Sequence, residues 1–182
     1  MDNLLSNYMK LTEMVDSLAE RIRGKLRDSI TCHKGCSGCC SAITLFPVEA
    51  AAIRRRIESL PLEISEQIRE KTALESETER CPLLEDDCCL IYENRPIICR
   101  THGLPIIFDE NGTRRLDCCP LNSIQGEKLE GESIIDLDRV NHLLVAVNAL
   151  FLKERGVAGE SSQRVTIAVA VAGESGSKGK IT

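Results

Sequence analysis

The chain has 182 residues, 42% of them hydrophobic but only 3% aromatic and without Trp. That is enough to bury one core unaided, and the core must be built from Leu, Ile, Val and Ala, which favours packed helices over a large sheet. With 23 basic and 28 acidic residues the formal net charge is -5, and no long block of one sign is present, which excludes nucleic acid as a default partner.

The first thirty residues carry acids throughout and never reach an apolar run ending in small residues, so no secretory signal is expected. Leu4, Tyr8, Leu11, Val15, Leu18 and Ile22 recur at alternating steps of four and three, predicting a helix that runs to about Leu26. The segment "TCHKGCSGCC" follows, from Thr31 to Cys40. In "FPVEAAAIRRRIESL", Pro47 stands near a helix start, Glu49 in its first turn, and Ala50, Ile53, Ile57 and Leu60 on one side. Pro61 breaks this helix, and "LEISEQIREKTALE" reads as a more exposed one with Ile64 and Ile68 inward. The run Arg54-Arg55-Arg56 reads as an exposed helix face.

Signals then become short and extended. "CPLLEDDCCLIY" forms a small hairpin around Asp86 and Asp87, which brings Cys81 near Cys89. In "YENRPIICR", Pro96 suits the first position of a helical turn ending in Cys99. Asn111-Gly112 is a strong hairpin cue; with those residues as the turn, Asp109 faces Arg114, Leu104 lies opposite Cys119, and Cys119 returns to the neighbourhood of Cys99 and His102. Ser133 followed by Asp136 looks like a cap. Leu137, Val140, Leu144, Val147 and Phe151 then repeat at helical spacing, and Gly156 closes that helix. The longest apolar run, Val165 to Ala172, is far short of the roughly 20 residues of a membrane helix. It is read as a possible short strand at 165–172 within a flexible tail spanning 156–182, with disorder expected beyond Gly173.

The ten cysteines are Cys32, Cys36, Cys39, Cys40, Cys81, Cys88, Cys89, Cys99, Cys118 and Cys119. In a cytoplasmic, reducing compartment, metal ligation or redox chemistry explains so many thiols better than disulfides do. A C-x3-C-x2-C spacing lets one turn of backbone aim several thiolates at one point, while distant cysteines complete the shell and close the loops between them. A lone cysteine is more often a small core residue; a cluster is not. Three vicinal pairs, Cys39-Cys40, Cys88-Cys89 and Cys118-Cys119, constrain the geometry, because in extended backbone neighbouring side chains point to opposite faces. Eight thiolates around one divalent ion would leave roughly six negative charges, too many to bury, so two four-thiolate centres are the more reasonable arrangement. Arg95 and Arg100 are candidates to meet residual charge. Zinc and an iron–sulfur cluster both accept all-cysteine ligation. His33 and His102 are better read as neighbours of such a centre than as ligands, and His142 as structural.

The combination of "CHKGCSGCC", "CPLL", "CLIYENRPIICR" and "CCPLN" resembles the YkgJ-type cysteine-cluster family, also called the CxxCxxCC domain, from about Cys32 to Asn122. The resemblance implies zinc or iron chelation by about eight cysteines. Position by position it picks Cys32, Cys36, Cys39, Cys40, Cys81, Cys89 and Cys99, with Cys119 as the eighth, and marks Tyr92, Arg95, Pro96 and Arg100 as framing residues. Cys88 and Cys118 exceed the usual set. A related segment occurs in flagellin lysine N-methylases.

The sequence therefore predicts a mainly α protein with short β-hairpins, a small α+β fold, whose irregular cysteine-rich centre is flanked by amphipathic helices. Residues 1–155 form a single metal-binding domain and 156–182 a tail. The expected function is chelation of an iron–sulfur cluster or zinc, with an electron-transfer or redox-sensing role in the iron–sulfur case. No nucleic-acid or membrane partner is expected, and the protein partner is unknown. Whether the chain is an enzyme is open: a methyltransferase-like activity and a metal-free thiol redox protein are the alternatives. A cluster that binds S-adenosylmethionine for radical chemistry also uses a C-x3-C-x2-C segment, but it normally sits in a repeated strand–helix barrel that this sequence lacks.

Overall fold

In the computed structural model the described residues are 4–74, 79–124, 129–157 and 163–173. Helix α1 (Ser6–Lys25) buries Tyr8, Leu11, Val15, Ala19 and Ile22. Leu4 and Leu18 from the expected stripe are only partly buried, while Leu5 is buried; the inward face is turned by about one residue. Strand β1 (Thr44–Leu45) leads into α2 (Pro47–Glu58), whose first position is Pro47, where the missing amide hydrogen costs nothing. Helix α3 (Leu62–Leu74) follows Pro61, with Ile68 fully buried and Leu62 exposed.

The middle of the chain is built from hairpins. Strands β2 (Leu84–Glu85) and β3 (Cys88–Cys89) pair Leu84 with Cys89 and Glu85 with Cys88. Asp86 and Asp87 take positive φ of 44° and 60° between them, the left-handed pair that a two-residue hairpin turn needs. Helix α4 (Ile97–Thr101) has Pro96 at its cap and Cys99 at its centre, one residue out of step with the expected turn ending in Cys99. The Asn111-Gly112 hairpin of β4 (Ile106–Glu110) and β5 (Thr113–Asp117) has the expected register, Asp109 opposite Arg114. Strand β6 (Ile135–Asp136) adds parallel to β4.

Asp136 caps α5 (Leu137–Glu154) by accepting the Arg139 amide hydrogen, while Ser133 lies in a preceding 3-10 turn. The cap is therefore the aspartate alone. The inward face of α5 is Val140, Leu144, Asn148, Phe151 and Leu152, with Asn148 fully buried in place of the partly buried Val147. Gly156, at φ 65°, ends the run.

The stretch 165–172 corrects the sequence reading. Only Val165–Thr166 is a strand, β7, paired antiparallel with β1. Residues Ile167–Ala172 form helix α6, capped by the Thr166 hydroxyl accepting from the Val169 amide. Ile167, Ala170 and Val171 are buried at helical spacing: a threonine cap and the helix preference of three alanines, Ala170 among them in the core, outweigh the strand preference of the valines. Arg54 of α2 donates to the Ala170 carbonyl at 3.2 Å. Residues 163–173 are thus built into the fold, and the expectation of disorder beyond Gly173 falls outside the described residues.

Two apolar clusters result. The first joins α1, α5 and the residues around α4 and β6, including Ile97, Leu104 and Ile135. The second joins α2, α3, α6 and the β2–β3 hairpin, with Cys81 and Cys89 packed against it. At about 1.5–3 kcal/mol per fully buried Leu, Ile or Val side chain, these clusters hold the irregular cysteine-bearing loops between them. Among the described residues no helix is long and apolar enough to cross a membrane.

Candidate metal centre

Four separate segments deliver four thiols to one place. Cys40 and Cys81 are set side by side by a short antiparallel seam, in which the Cys81 amide donates to the Cys40 carbonyl at 3.2 Å and the Ala42 amide to Glu79 at 2.8 Å. The β2–β3 hairpin supplies Cys89, tightened by Leu90 donating to Leu83 at 3.0 Å. Helix α4 supplies Cys99. Outside, the Ser37 hydroxyl and Arg80 both donate to Asp87, tying the loop before Cys39 to the hairpin turn.

These four thiols lie within electrostatic reach of one another. Burial pushes the Cys99 thiol up to about 12, and Cys81, Cys89 and Cys40 push it further in the same direction. Cys40 is raised to about 11 by burial and by Cys39, Cys81 and Cys89. Burial also raises Cys89, against the lowering pull of Arg95 and Lys34. In the metal-free protein Cys40 and Cys99 carry protons at neutral pH. A shared cavity is lined by Cys32, Cys36, Cys39, Cys40, Cys81, Cys89 and Cys99, with Ile53, Leu83, Ile91 and Ile167 among its apolar walls. Its free volume is about 80 Å³, room for an ion or small inorganic group and far below the roughly 300–1,000 Å³ of small-molecule pockets.

A second group stands beside the first. Cys36 is held by a turn whose amide donates to the His33 carbonyl at 3.1 Å. Cys32 is raised to about 11 by burial first, then by the nearby Cys119 and by Cys36. The hairpin therefore returns Cys119 to Cys32 and to Gly103, which follows His102 and whose carbonyl accepts from the Cys119 amide at 3.5 Å. Gly103 has φ 84° and faces the Cys32 sulfur, with which a methyl group there would collide.

The vicinal pairs behave differently. Cys89 enters the cavity while Cys88 is exposed, as alternation along a strand requires. Cys119 meets Cys32 while the Cys118 sulfur turns to the Cys119 carbonyl at 3.5 Å. Cys39 and Cys40 lie in a turn, so alternation does not apply: both line the cavity, and Cys39 is near enough to raise the Cys40 thiol. All ten cysteines are free. The sulfurs line the space without closing on a point: among the described residues, no three His, Cys, Asp or Glu side chains stand in ion-holding geometry.

The two candidate arginines separate. Arg95 stacks 3.6 Å from the Tyr92 ring centre, with Lys34 at 5.4 Å from the same ring, and its charge lowers both Cys89 and Cys99. Arg100 points away, pairing with Asp16 of α1 and donating to the carbonyls of Arg95 and Glu93 at 2.7 Å each. His33 and His102 line the cavity; His33 is engaged with the Thr31 carbonyl at 2.7 Å, and burial lowers the His102 pKa. His142 is exposed on α5.

Two residues were not legible as site components. Glu49 is buried at 3% exposure and its carboxylate accepts the Phe46 amide and the Ile97 amide at 3.1 Å each, so one side chain caps both α2 and α4 and fixes the helix that carries Cys99. Only its place in a first turn signalled it. Asn122 is buried beneath Cys32 and Cys119, with no sequence signal beyond its nearness to Cys119.

Residues 31–120 match the CxxCxxCC family, described as "Putative zinc- or iron-chelating domain". These residues are a CxxCxxCC domain. The domain takes in every cysteine from Cys32 to Cys119, together with α2, α3 and α4, while α1, α5 and α6 lie outside it and pack around it. A family described as chelating zinc or iron supports metal binding in general. No curated protein and no solved structure matches the chain.

Proposed function

We propose that this protein is a metal-binding protein in which Cys40, Cys81, Cys89 and Cys99 hold one zinc ion or iron–sulfur cluster, and Cys32, Cys36 and Cys119, with Cys39 between the groups, form a second centre. The observation that carries this reading is the convergence of four thiols from four segments onto one small, mostly apolar cavity. The donor set fits: soft thiolates suit zinc and iron–sulfur clusters equally. Bound there, zinc would supply a structural cross-link, and a cluster would supply one-electron transfer or redox sensing.

The chain's own residues carry the rest. Binding requires the thiol protons to leave, because burial holds Cys40 and Cys99 far above neutral pH; uptake then releases protons and draws the sulfurs inward. Four thiolates on a divalent ion leave about two negative charges, which Arg95 and Lys34 are positioned to offset. Apolar walls from the second core restrict water. The cytoplasm or another reducing compartment fits ten unpaired thiols.

The small free volume disfavours an organic cosubstrate in this cavity; calorimetry with S-adenosylmethionine that detects binding would favour the methyltransferase reading instead. The metal-free redox reading rests on the contact between Cys39 and Cys40. Protein purified anaerobically should contain iron with acid-labile sulfide and be brown, or contain zinc and be colourless, with most thiols masked. Metal-free protein with ten titratable thiols would end the proposal.

A further inference from the structure

Asn122 is 7% exposed and every polar atom of its side chain is used. Its Oδ1 accepts from the Thr31 amide at 2.9 Å and the Thr31 hydroxyl at 3.1 Å, and the Cys32 sulfur stands 3.7 Å away as a further donor. Its Nδ2 donates to the Gly103 carbonyl. Its backbone amide closes the turn after Cys119 by donating to the Cys119 carbonyl at 3.0 Å. The seam continues through Ser123 donating to Ser29 at 2.9 Å.

Asn122 thus ties three chain segments, two through its carboxamide and the third through its backbone amide, and each carries or touches a thiol of the second group. The Thr31–Cys32 backbone is fixed through Oδ1. Gly103, which presses on the Cys32 sulfur and stands 3.7 Å from the Cys119 Cβ (measured from where its own Cβ would lie), is fixed through Nδ2. Cys119 is fixed through the turn. No regular element pairs these segments: Cys32 and Cys119 both lie outside helices and strands. Asn148 offers a contrast. It is also fully buried, but it sits on α5, and its Oδ1 accepts the Val48 amide at 3.1 Å, joining two helices without touching a thiol.

We infer that Asn122 is a positioning residue for the Cys32–Cys36–Cys119 centre, its amide setting the spacing and aim of Cys32 and Cys119. This rests on the metal-binding reading above. Groups that orient metal ligands typically contribute 10–100-fold in affinity, and because the quartet is held by other means, the effect is confined to one centre.

The test uses the full chain as wild type, Asn122→Ala, the near-isosteric Asn122→Asp, which retains volume but loses the donor to Gly103, and Asn148→Ala. Metal-free protein is titrated anaerobically with Zn²⁺, and separately its cysteines are alkylated with iodoacetamide and read by mass spectrometry. Both Asn122 variants should weaken one zinc equivalent about 10–100-fold and leave the other unchanged. In metal-free protein, Cys32 and Cys119 should alkylate several-fold faster relative to Cys99. Asn148→Ala should lower Tm without altering either ratio. Wild-type zinc affinities and alkylation pattern in the Asn122 variants would overturn the inference, as would parallel loss of both equivalents with Tm. If wild type takes up no zinc the zinc form of the metal reading fails, and the alkylation pattern alone then decides whether Asn122 positions these thiols.

Discussion

The two groups of thiols are held by different parts of the molecule. In the quartet, backbone pairing and a helix fix each sulfur: a seam for Cys40 and Cys81, a hairpin for Cys89, α4 for Cys99. In the second group, turns, a glycine and one side-chain amide do so. A centre pinned by regular structure shares its stability with the core. A centre pinned by side chains can be loosened without unfolding the protein.

The largest expected contrast follows from removing one thiol of each group. Cys99→Ser should abolish binding at the quartet and lower Tm by roughly 10 °C or more, because binding free energy at such a site is folding free energy. Cys119→Ser should abolish the other equivalent and lower Tm by only a few degrees. Equal Tm losses, read by calorimetry on loaded protein, would erase the distinction.

Next in size is Glu49→Ala. Deleting a carboxylate that accepts two helix-start amides should cost about 2–4 kcal/mol in denaturant unfolding and should speed alkylation of Cys99 while leaving Cys32 unchanged. Uniform acceleration would mean that Glu49 only stabilises the fold. Arg95→Gln is expected to weaken the quartet about tenfold by zinc competition, whereas Arg100→Gln should destabilise the chain through the lost Asp16 contact and leave relative affinities intact.

Alkaline pH acts on the metal-free form. The folded-state pKa values of Cys32, Cys40 and Cys99 lie near 11, 11 and 12, above the ordinary 9.0. A raised thiol pKa contributes stability below the unfolded value and loses it as pH rises through the folded value. Metal-free protein should therefore lose stability between about pH 9 and 12, with loaded protein resisting over the same range, as read by denaturant midpoints. The smallest effect belongs to Cys88→Ser: an exposed thiol opposite the cavity should shift stability by no more than about 0.5 kcal/mol with no metal loss.

Local chemistry made much of this legible. Asn111-Gly112 and Asp86-Asp87 specify their hairpins through the left-handed turn, and the stripe of α1 and Pro47 of α2 specify their helices. The grouping of thiols followed partly from spacing, since a hairpin at Asp86-Asp87 must carry Cys89 back along Leu84. Three features were not legible. Alternation failed for Cys39-Cys40 because a turn replaced extended backbone. The valines of 165–172 signalled a strand, but the burial of Ile167, Ala170 and Val171 against α2 and α3 is a tertiary effect that no local pattern contains. Asn122 and Glu49 act through partners 91 and 48 residues away in sequence, and nothing in their own neighbourhoods announces that reach.

The central claim is that sulfurs from four segments close together on metal. X-ray absorption at the metal edge of anaerobically prepared protein tests it most directly. A shell made of sulfur alone, four per metal at about 2.3 Å, is predicted, and its amplitude should fall in Cys99→Ser. A shell dominated by nitrogen or oxygen, or one unchanged by that substitution, would contradict it.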